Sequence, residues 1–397
     1  MNVITLKPGK EKSLLRRHPW VYATGIATTT GRCEPGATVT VRAADGRFLA
    51  RGAYSPESQI RVRVWTFDED EPVDHALIKR RVASALAHRK QWVHDTNAVR
   101  IVFGESDRLP GLIVDYYGTG ERGQLVCQFN SAGVEQWKSA IVQALVKETG
   151  CPNVYERSDA AVREREGLPL VTGVLAGAEP DPELSVTEHG VRYYVDVRNG
   201  HKTGFYVDQR DNRKLVGDLA EGREVLNCFC YTGGFSLAAL RGGATAVTSI
   251  DSSGEALKIA ANNVTLNGFD AERATWLDAD VFKTLRQFRA EGRQFDLIVL
   301  DPPKFAPSAQ HIDRAARAYK EINLVGMQLL RPGGLLFTYS CSGAISMELF
   351  QKIVAGAATD ARCDARILRR LSAGTDHPMS AAFPEGEYLK GLLLEKV

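Results

Sequence analysis

From about Leu184 onward, short apolar runs alternate with stretches of helical period: EVLNCF, FSLAAL, AVTSID, GEALKIAANNVTLN, FDLIVLD, YKEINLVGMQLL and GLLFTYS. No other feature of the chain narrows its fold as much. Units of this length require right-handed βαβ crossovers and a mainly parallel sheet, covered by helices on its faces. Sheets of that kind take ligands beyond the carboxyl ends of their strands, which makes the last ~200 residues the catalytic candidate. Tyr193-Tyr194-Val195-Asp196-Val197 reads as a strand leading into this region.

With 397 residues the chain exceeds what one core organises, and two further composition shifts divide the remainder. Residues 1–72 hold short strands broken by turns. Alternation in Arg61-Val62-Arg63-Val64-Trp65 predicts a half-buried strand with Arg61 and Arg63 on its wet face. Asp74 to about Val93 reads as a helix, and residues 73–186 continue with strands in RIVFGES, GLIVDYY and QLVCQFN and a helix over Val134 to Lys147. Residues 187–397 form the third part. The expected class is therefore α/β, with a β-rich N-terminal module, a central α+β domain and a C-terminal Rossmann-like domain.

Composition excludes some partners and leaves others open. At 44% hydrophobic and 25% charged, with no apolar run near the ~18–20 residues of a bilayer span, a membrane protein is not expected. The seven cysteines lack a disulfide rhythm and zinc-like spacing, and the first residues lack a secretory pattern, so a reducing cytoplasm and no metal are expected. A net charge of +2 does not itself call for nucleic acid. Lys7, Lys10, Lys12, Arg16, Arg17, Arg47, Arg51, Arg61 and Arg63 nevertheless gather near the start, where they are candidates for neutralising phosphates or simply for a solvated face.

The strand Val225-Leu226-Asn227-Cys228-Phe229 runs into Cys230-Tyr231-Thr232-Gly233-Gly234 and then a helix. Glycine there lets backbone approach a ligand, and the helix start offers free N–H groups. A second strand ends in Asp251, a carboxylate suited to two ribose hydroxyls, or alternatively to an ordinary helix cap. Asp280 and Val281 follow the third strand, where a carboxylate and a backbone N–H can read an adenine edge. The glycines do not spell G-x-G-x-x-G and no phosphate-binding Lys-Ser/Thr pair follows, so a nucleoside without phosphates fits better than a dinucleotide. S-adenosylmethionine (SAM) is such a ligand.

FDLIVLDPPKF, residues 295–305, carries the most chemistry. An apolar strand ends in Asp301, and Pro302 and Pro303 then remove N–H donors and stiffen the backbone, so that Asp301, the prolines and Lys304 can hold the edge and face of a base. The next strand ends in Ser340-Cys341-Ser342-Gly343. If these two strands are neighbours, Asp301 and Cys341 issue only ~5 Å apart. Carbon 5 of cytosine is a poor nucleophile until a thiolate adds at carbon 6, which makes carbon 5 enamine-like; that chemistry needs a cysteine. Cys341 is the candidate nucleophile, Asp301 its partner on the base, and Cys228 and Cys230 are expected to be packing residues.

Several segments together resemble a known family: KSLLRRHPWVY, LARGAYSP, GESDRLPGLIVD, the stretch Asn199 to Arg210, LNCFCYTGGFS, LDPPKF, YSCSG and FPEGEYLKG. Over nearly its full length the chain resembles the bacterial 23S ribosomal RNA cytosine-5 methyltransferases that carry an N-terminal PUA domain. The resemblance implies a PUA module for RNA, a central domain and a class I SAM methyltransferase domain, with 23S ribosomal RNA as partner and a homodimer as a possible assembly. It also implies that Phe205, Asp208 and Gln209 belong to the SAM pocket wall, and that Asn227 stands where related enzymes have an acid. Unlike the better-known RNA cytosine-5 enzymes, this chain has no cysteine after Asp-Pro-Pro, so Cys341 acts without a second thiol. Two other readings stay open: methylation of a base amino group, which needs no Cys341, and a non-catalytic RNA-binding or assembly protein.

Overall fold

The computed structural model describes residues 2–306 and 309–397. Contacts divide the chain into two units, Met1–Thr187 with Val195–Val207 and Thr375–Gly386, and Glu188–Tyr194 with Asp208–Gly374 and Glu387–Val397.

The first unit contains two sheets. Its six-stranded sheet runs Trp20–Tyr22, Ile60–Thr66, Phe48–Tyr54, Thr38–Arg42, Val3–Leu6, Ile26–Thr30. The five-stranded sheet runs Val171–Ala176, Val154–Ser158, Gln124–Phe129, Leu112–Tyr117, Ala98–Phe103. Ala53 and Trp65 of the first sheet share an apolar cluster with Ile101, Leu112, Val114 and Phe129 of the second, so the two sheets fold as one body. The helix His75–Trp92 begins where the Asp74 carboxylate accepts the Leu77 N–H at 2.8 Å. The helix expected over Val134 to Lys147 is instead two, Ala132–Gln136 and Lys138–Thr149, because the backbone leaves the α region at Trp137.

One expectation is corrected here. Ile60–Thr66 is covered on both faces, not one, and Arg63 is 6% exposed. Its guanidinium meets Glu166 at 2.8 Å and Glu105 at 3.5 Å. Alternating arginines therefore mark a buried ion cluster at Arg63, which is withdrawn from any solvent-facing row of phosphate contacts. Arg61 is half-buried, with Nη1 donating to the Pro56 carbonyl. Lys10, Lys12, Arg16 and Arg17 are exposed.

The second unit is built on a seven-stranded sheet. Its strands are β1 (Glu224–Cys228), β2 (Ala246–Asp251), β3 (Ala274–Asp278), β4 (Phe295–Leu300), β5 (Leu330–Ser340), β6 (Ala365–Leu371) and β7 (Lys390–Lys396), in the spatial order β3-β2-β1-β4-β5-β7-β6. The first five are parallel, while β7 runs antiparallel to both β5 and β6. Helices α1 (Arg210–Asp218), α2 (Gly234–Arg241), α3 (Gly254–Asn267), α4 (Val281–Ala290), α5 (Ile312–Leu329) and α6 (Met347–Ala361) connect and cover them. Leu226, Ile298, Leu300 and Leu336 face one apolar cluster and Val225, Leu297, Val299 and Phe337 the other, so β1, β4 and β5 are dry on both sides. The strand order reverses between β1 and β4, which opens a crevice at their carboxyl ends. Among the described residues, no helix is long and apolar enough to cross a membrane.

Candidate active site

All the chemistry-bearing residues of the second unit sit at that carboxyl edge. After β1 the chain turns through Phe229 at φ 60°, Tyr231 at φ 49° and Gly233 at φ 80°. Two aromatic residues in the left-handed region are costly, about 1–3 kcal/mol each, and such strain persists only where the surroundings fix it. Asp251, at the end of β2, does part of that fixing: its Oδ2 accepts the Tyr231 N–H at 2.8 Å and its Oδ1 the Ser253 N–H at 3.0 Å. The cap of α3 is Ser253, whose hydroxyl accepts the Ala256 N–H at 3.2 Å. Asp251 is thus not a simple cap; it orders the turn that faces the crevice. At Gly233 a Cβ would come within 2.8 Å of Trp276 and 2.9 Å of Leu237, so glycine is required there by packing as well as by φ. Thr232 is buried beside it, its carbonyl accepting from Asn263 at 3.2 Å.

Asn227 lies fully buried near the end of β1, with Nδ2 donating to Ser236 Oγ at 2.8 Å and Oδ1 without a hydrogen-bond partner among the described residues. Asp280 is exposed and caps α4 by accepting the Lys283 N–H at 2.8 Å, and Val281 is buried behind it. Asp208 and Gln209 precede α1 and are buried; the Tyr388 hydroxyl donates to Asp208 Oδ2 at 2.6 Å. Phe205 belongs to the first unit, where it is 2% exposed.

Asp301 and Cys341 leave adjacent parallel strands, β4 and β5, as the spacing requires. Cys341 Sγ is 3.9 Å from the Pro302 carbonyl oxygen, and both Asp301 and Cys341 are half-buried. Gln209 Nε2 donates to Asp301 Oδ2 at 3.0 Å, while Gln209 Oε1 accepts from Asn212 at 2.6 Å. The amide can satisfy both partners in one orientation only, so it presents a donor to Asp301 and favours the ionised carboxylate. Pro302 is buried; Pro303 and Lys304 face solvent. Burial pushes the thiols of Cys228 and Cys230 up, and for Cys230 nearby Asp251 adds to the effect, so these two stay protonated and inert.

Sequence reasoning missed three groups here. Ser342 gathers the edge, since its Oγ accepts the Ala306 N–H at 3.1 Å and meets the Tyr319 hydroxyl at 3.0 Å. Tyr339, fully buried and stacked on Phe235, has a hydroxyl with no partner among the described residues. Lys390, at the start of β7, is 2% exposed and donates to the Ser342 carbonyl at 2.9 Å. A lysine opening the apolar run KGLLLEK was the available signal for the last of these.

The strand order and the acidic, glycine-turned crevice define a SAM-dependent methyltransferase, and residues 160–380 match the profile of the S-adenosylmethionine-dependent methyltransferase family. A PUA-like domain profile matches residues 4–67. Among curated relatives, Ribosomal RNA large subunit methyltransferase I of Shewanella amazonensis is 51% identical, covering 98% of each chain, and that of Pseudoalteromonas atlantica is 49% identical with the same coverage. The chain belongs to the ribosomal RNA large subunit methyltransferase I family. A SAM-dependent methyltransferase from Streptococcus mutans shares the fold at a TM-score of 0.85 and 22% identity, with full coverage of both chains. A methyltransferase solved as its complex with SAH does so at 0.86 and 22%, again with full coverage.

Proposed function

We propose that the protein methylates carbon 5 of a cytosine in large-subunit ribosomal RNA, with Cys341 as covalent nucleophile. The observation that carries this reading is the emergence of Cys341 and Asp301 from the carboxyl ends of adjacent strands, one thiol and one oriented carboxylate at a single edge.

The donors and acceptors of the crevice fit SAM. The orphaned Asn227 Oδ1 is a buried acceptor that an ammonium would satisfy. Asp251, already ordering the turn that holds Thr232 and Gly233, has lone pairs left for ribose hydroxyls, and Asp280 with Val281 flanks the adenine end. Asp208 and Gln209 close the wall next to Asp301. SAM, when bound, supplies an electrophilic methyl group on a sulfonium.

The remaining work falls to the protein and the base. Cys341 Sγ adds to carbon 6 of the cytosine, Asp301 accepts from its N4 amino group, and Pro302, Pro303 and Lys304 border the ring. Carbon 5, now enamine-like, would take the methyl group as the methyl–sulfur bond breaks toward sulfur; solvent then takes the carbon 5 proton, and the electron pair left behind expels the thiolate and restores the aromatic ring. Exposed Lys10, Lys12, Arg16, Arg17 and half-buried Arg61 are the candidate phosphate contacts of the N-terminal module.

The test supplies labelled SAM and ribosomal RNA lacking its native methylation, followed by digestion to nucleosides. Wild type should yield 5-methylcytidine, and Cys341→Ala should lose at least about 1,000-fold in rate while binding SAM as before. Label in an N-methylated base, or an active Cys341→Ala enzyme, would overturn the reading.

A further inference from the structure

Strand β6, ARILRRL, pairs with β7 alone, and the run Arg366 to Arg370 is exposed throughout. Ile367 and Leu368 within it are 39% and 49% exposed. Among the described residues, the only other large apolar residue of the second unit that is exposed is Val397, whose N–H donates to the Asp364 carbonyl beside the start of β6. The exposed apolar surface of this unit is therefore gathered at one edge, and gathered apolar surface marks an interaction site where scattered residues would not. Edge strands that serve only to repel other strands are blunted with charge, above all lysine. β6 has arginine at every charged position and two exposed aliphatic residues between them.

The cations decide between occupants. Arg366 meets Glu395 at 3.4 Å, and Lys352 of α6 meets Glu348 at 2.7 Å. Arg369 and Arg370 form no ion pair among the described residues. Arg370 lies opposite Leu392 of β7 and donates to Gln351 Oε1 of α6 at 2.9 Å, so it borders a groove of about 440 Å³ between α6 and β6, lined otherwise by Met347, Glu348, Lys352 and Ala355. Arg369 stands opposite Leu393, on the other face, and the register slips between Ile367 and Arg369, so Leu368 has no opposite residue on β7. β6 runs parallel to β5, because β7 is antiparallel to both, and Leu371 is level with Tyr339 through Gly391. The groove thus lies toward the carboxyl end of the sheet, about 10 Å or two strand spacings from β5, against the first half of the helix that follows Cys341. A second copy of this chain would set arginine against arginine across such an edge, which is unfavourable. A polyanion with stackable bases satisfies both the guanidiniums and the apolar floor.

We propose that β6 and the groove it forms with α6 are a second RNA contact, additional to that of the N-terminal module, which takes an unpaired segment flanking the target cytosine. The inference rests on the substrate being RNA. Phosphates lie on Arg369 and Arg370, and one unstacked base enters the groove against Met347 and Ala355 with the Arg370 guanidinium over its face. Gln351, whose oxygen is already held by Arg370, offers its amide N–H groups to the edge of that base. Anchored there, the strand can present to Cys341 only a nucleotide at a fixed distance, which makes the groove a determinant of which cytosine is modified.

The experiment uses the full chain and a transcribed large-subunit ribosomal RNA fragment lacking the methylation, with RNA affinity followed against salt and KM and kcat determined at fixed salt. Arg369→Gln combined with Arg370→Gln should weaken binding about 10-fold or more at low salt, lower the slope of log Kd against log salt by about 1.4, and raise KM far more than it lowers kcat. Arg241→Gln combined with Arg289→Gln removes the same charge from the ends of α2 and α4, at the opposite edge of the sheet, and should leave the slope as in wild type. In wild type, RNA carrying 4-thiouridine beside the target cytosine should photocrosslink to peptides spanning Met347 to Arg370. An unmoved slope, an equal fall in the control pair, or crosslinks confined to other peptides overturns the inference. So does a wild type that self-associates through this face, with the dimer lost and RNA binding kept in the double variant. A wild type that neither binds nor methylates RNA removes the proposed function itself, whereas normal methylation with an unmoved slope removes only this surface.

Discussion

Arg63 is a cation that strand patterning assigns to water and the fold takes inside. Arg63 faces Glu166 and Glu105, and Trp20 Nε1 also donates to Glu105 at 2.7 Å, so the arginine belongs to a buried, charge-paired structural cluster. Removing one member of such a cluster leaves the others charged and unpaired. Arg63→Ala should therefore cost roughly 3–5 kcal/mol, seen as a lower urea midpoint at unchanged slope. The salt dependence of RNA binding by the folded fraction should not change; a slope reduced by about one would return Arg63 to the phosphate contacts.

Among the elements, α1 and α2 meet through glycines. A Cβ at Gly242, the cap of α2, would stand 1.9 Å from the carbonyl oxygen of Gly217 in α1, and one at Gly217 would stand 2.9 Å from the Ala238 carbonyl. Gly242→Ala forces two backbones apart and should destabilise the protein by about 1–3 kcal/mol, with a lower Tm and SAM affinity retained below the transition; an unchanged Tm would show that the helices separate freely. Neither contact can be read from sequence, where both glycines look like turn residues. The β1-to-β5 core was legible because strands buried on both faces become continuous apolar runs, and the Asp301 and Cys341 positions followed from where those runs stop. What stayed hidden depends on partners distant in sequence. The ion cluster at Arg63 needs Glu166, the orientation of Asp301 needs Gln209 and Asn212, and Lys390 meets Ser342 only when β7 is laid against β5. Alternation of Arg and Val described a strand correctly and its wet face incorrectly, since periodicity reports spacing and not what covers a face.

For the molecule as a whole, acid stability is set partly at the edge of the sheet opposite the crevice. Arg331 of β5 bridges Glu224 of β1 at 3.0 Å and Asp296 of β4 at 2.9 Å, and Asp296 accepts the Glu224 N–H at 2.9 Å. Burial alone would raise the Asp296 carboxyl, but the Glu224 N–H and Arg331 outweigh it and hold the group below its ordinary 3.8. A carboxyl depressed in the folded state stabilises fully above its unfolded value, and that contribution is lost as pH falls through the folded one. Arg331→Met should accordingly move the midpoint of acid unfolding upward by about a few tenths of a pH unit, followed by circular dichroism, and leave stability above pH 6 less affected. An unmoved midpoint would mean that Asp296 does not contribute.

Each unit is assembled from three stretches of chain, and this interleaving governs how the protein can be made. In the first unit Arg89 and the Arg100 N–H both bind Asp376, at 2.9 Å and 3.0 Å. On the ribosome those arginines emerge nearly three hundred residues before the aspartate that completes their environment. The second unit waits likewise for β7, and with it Lys390. The first unit is therefore closed only after most of the second has been made, and the second sheet is complete only as its last strand is laid down.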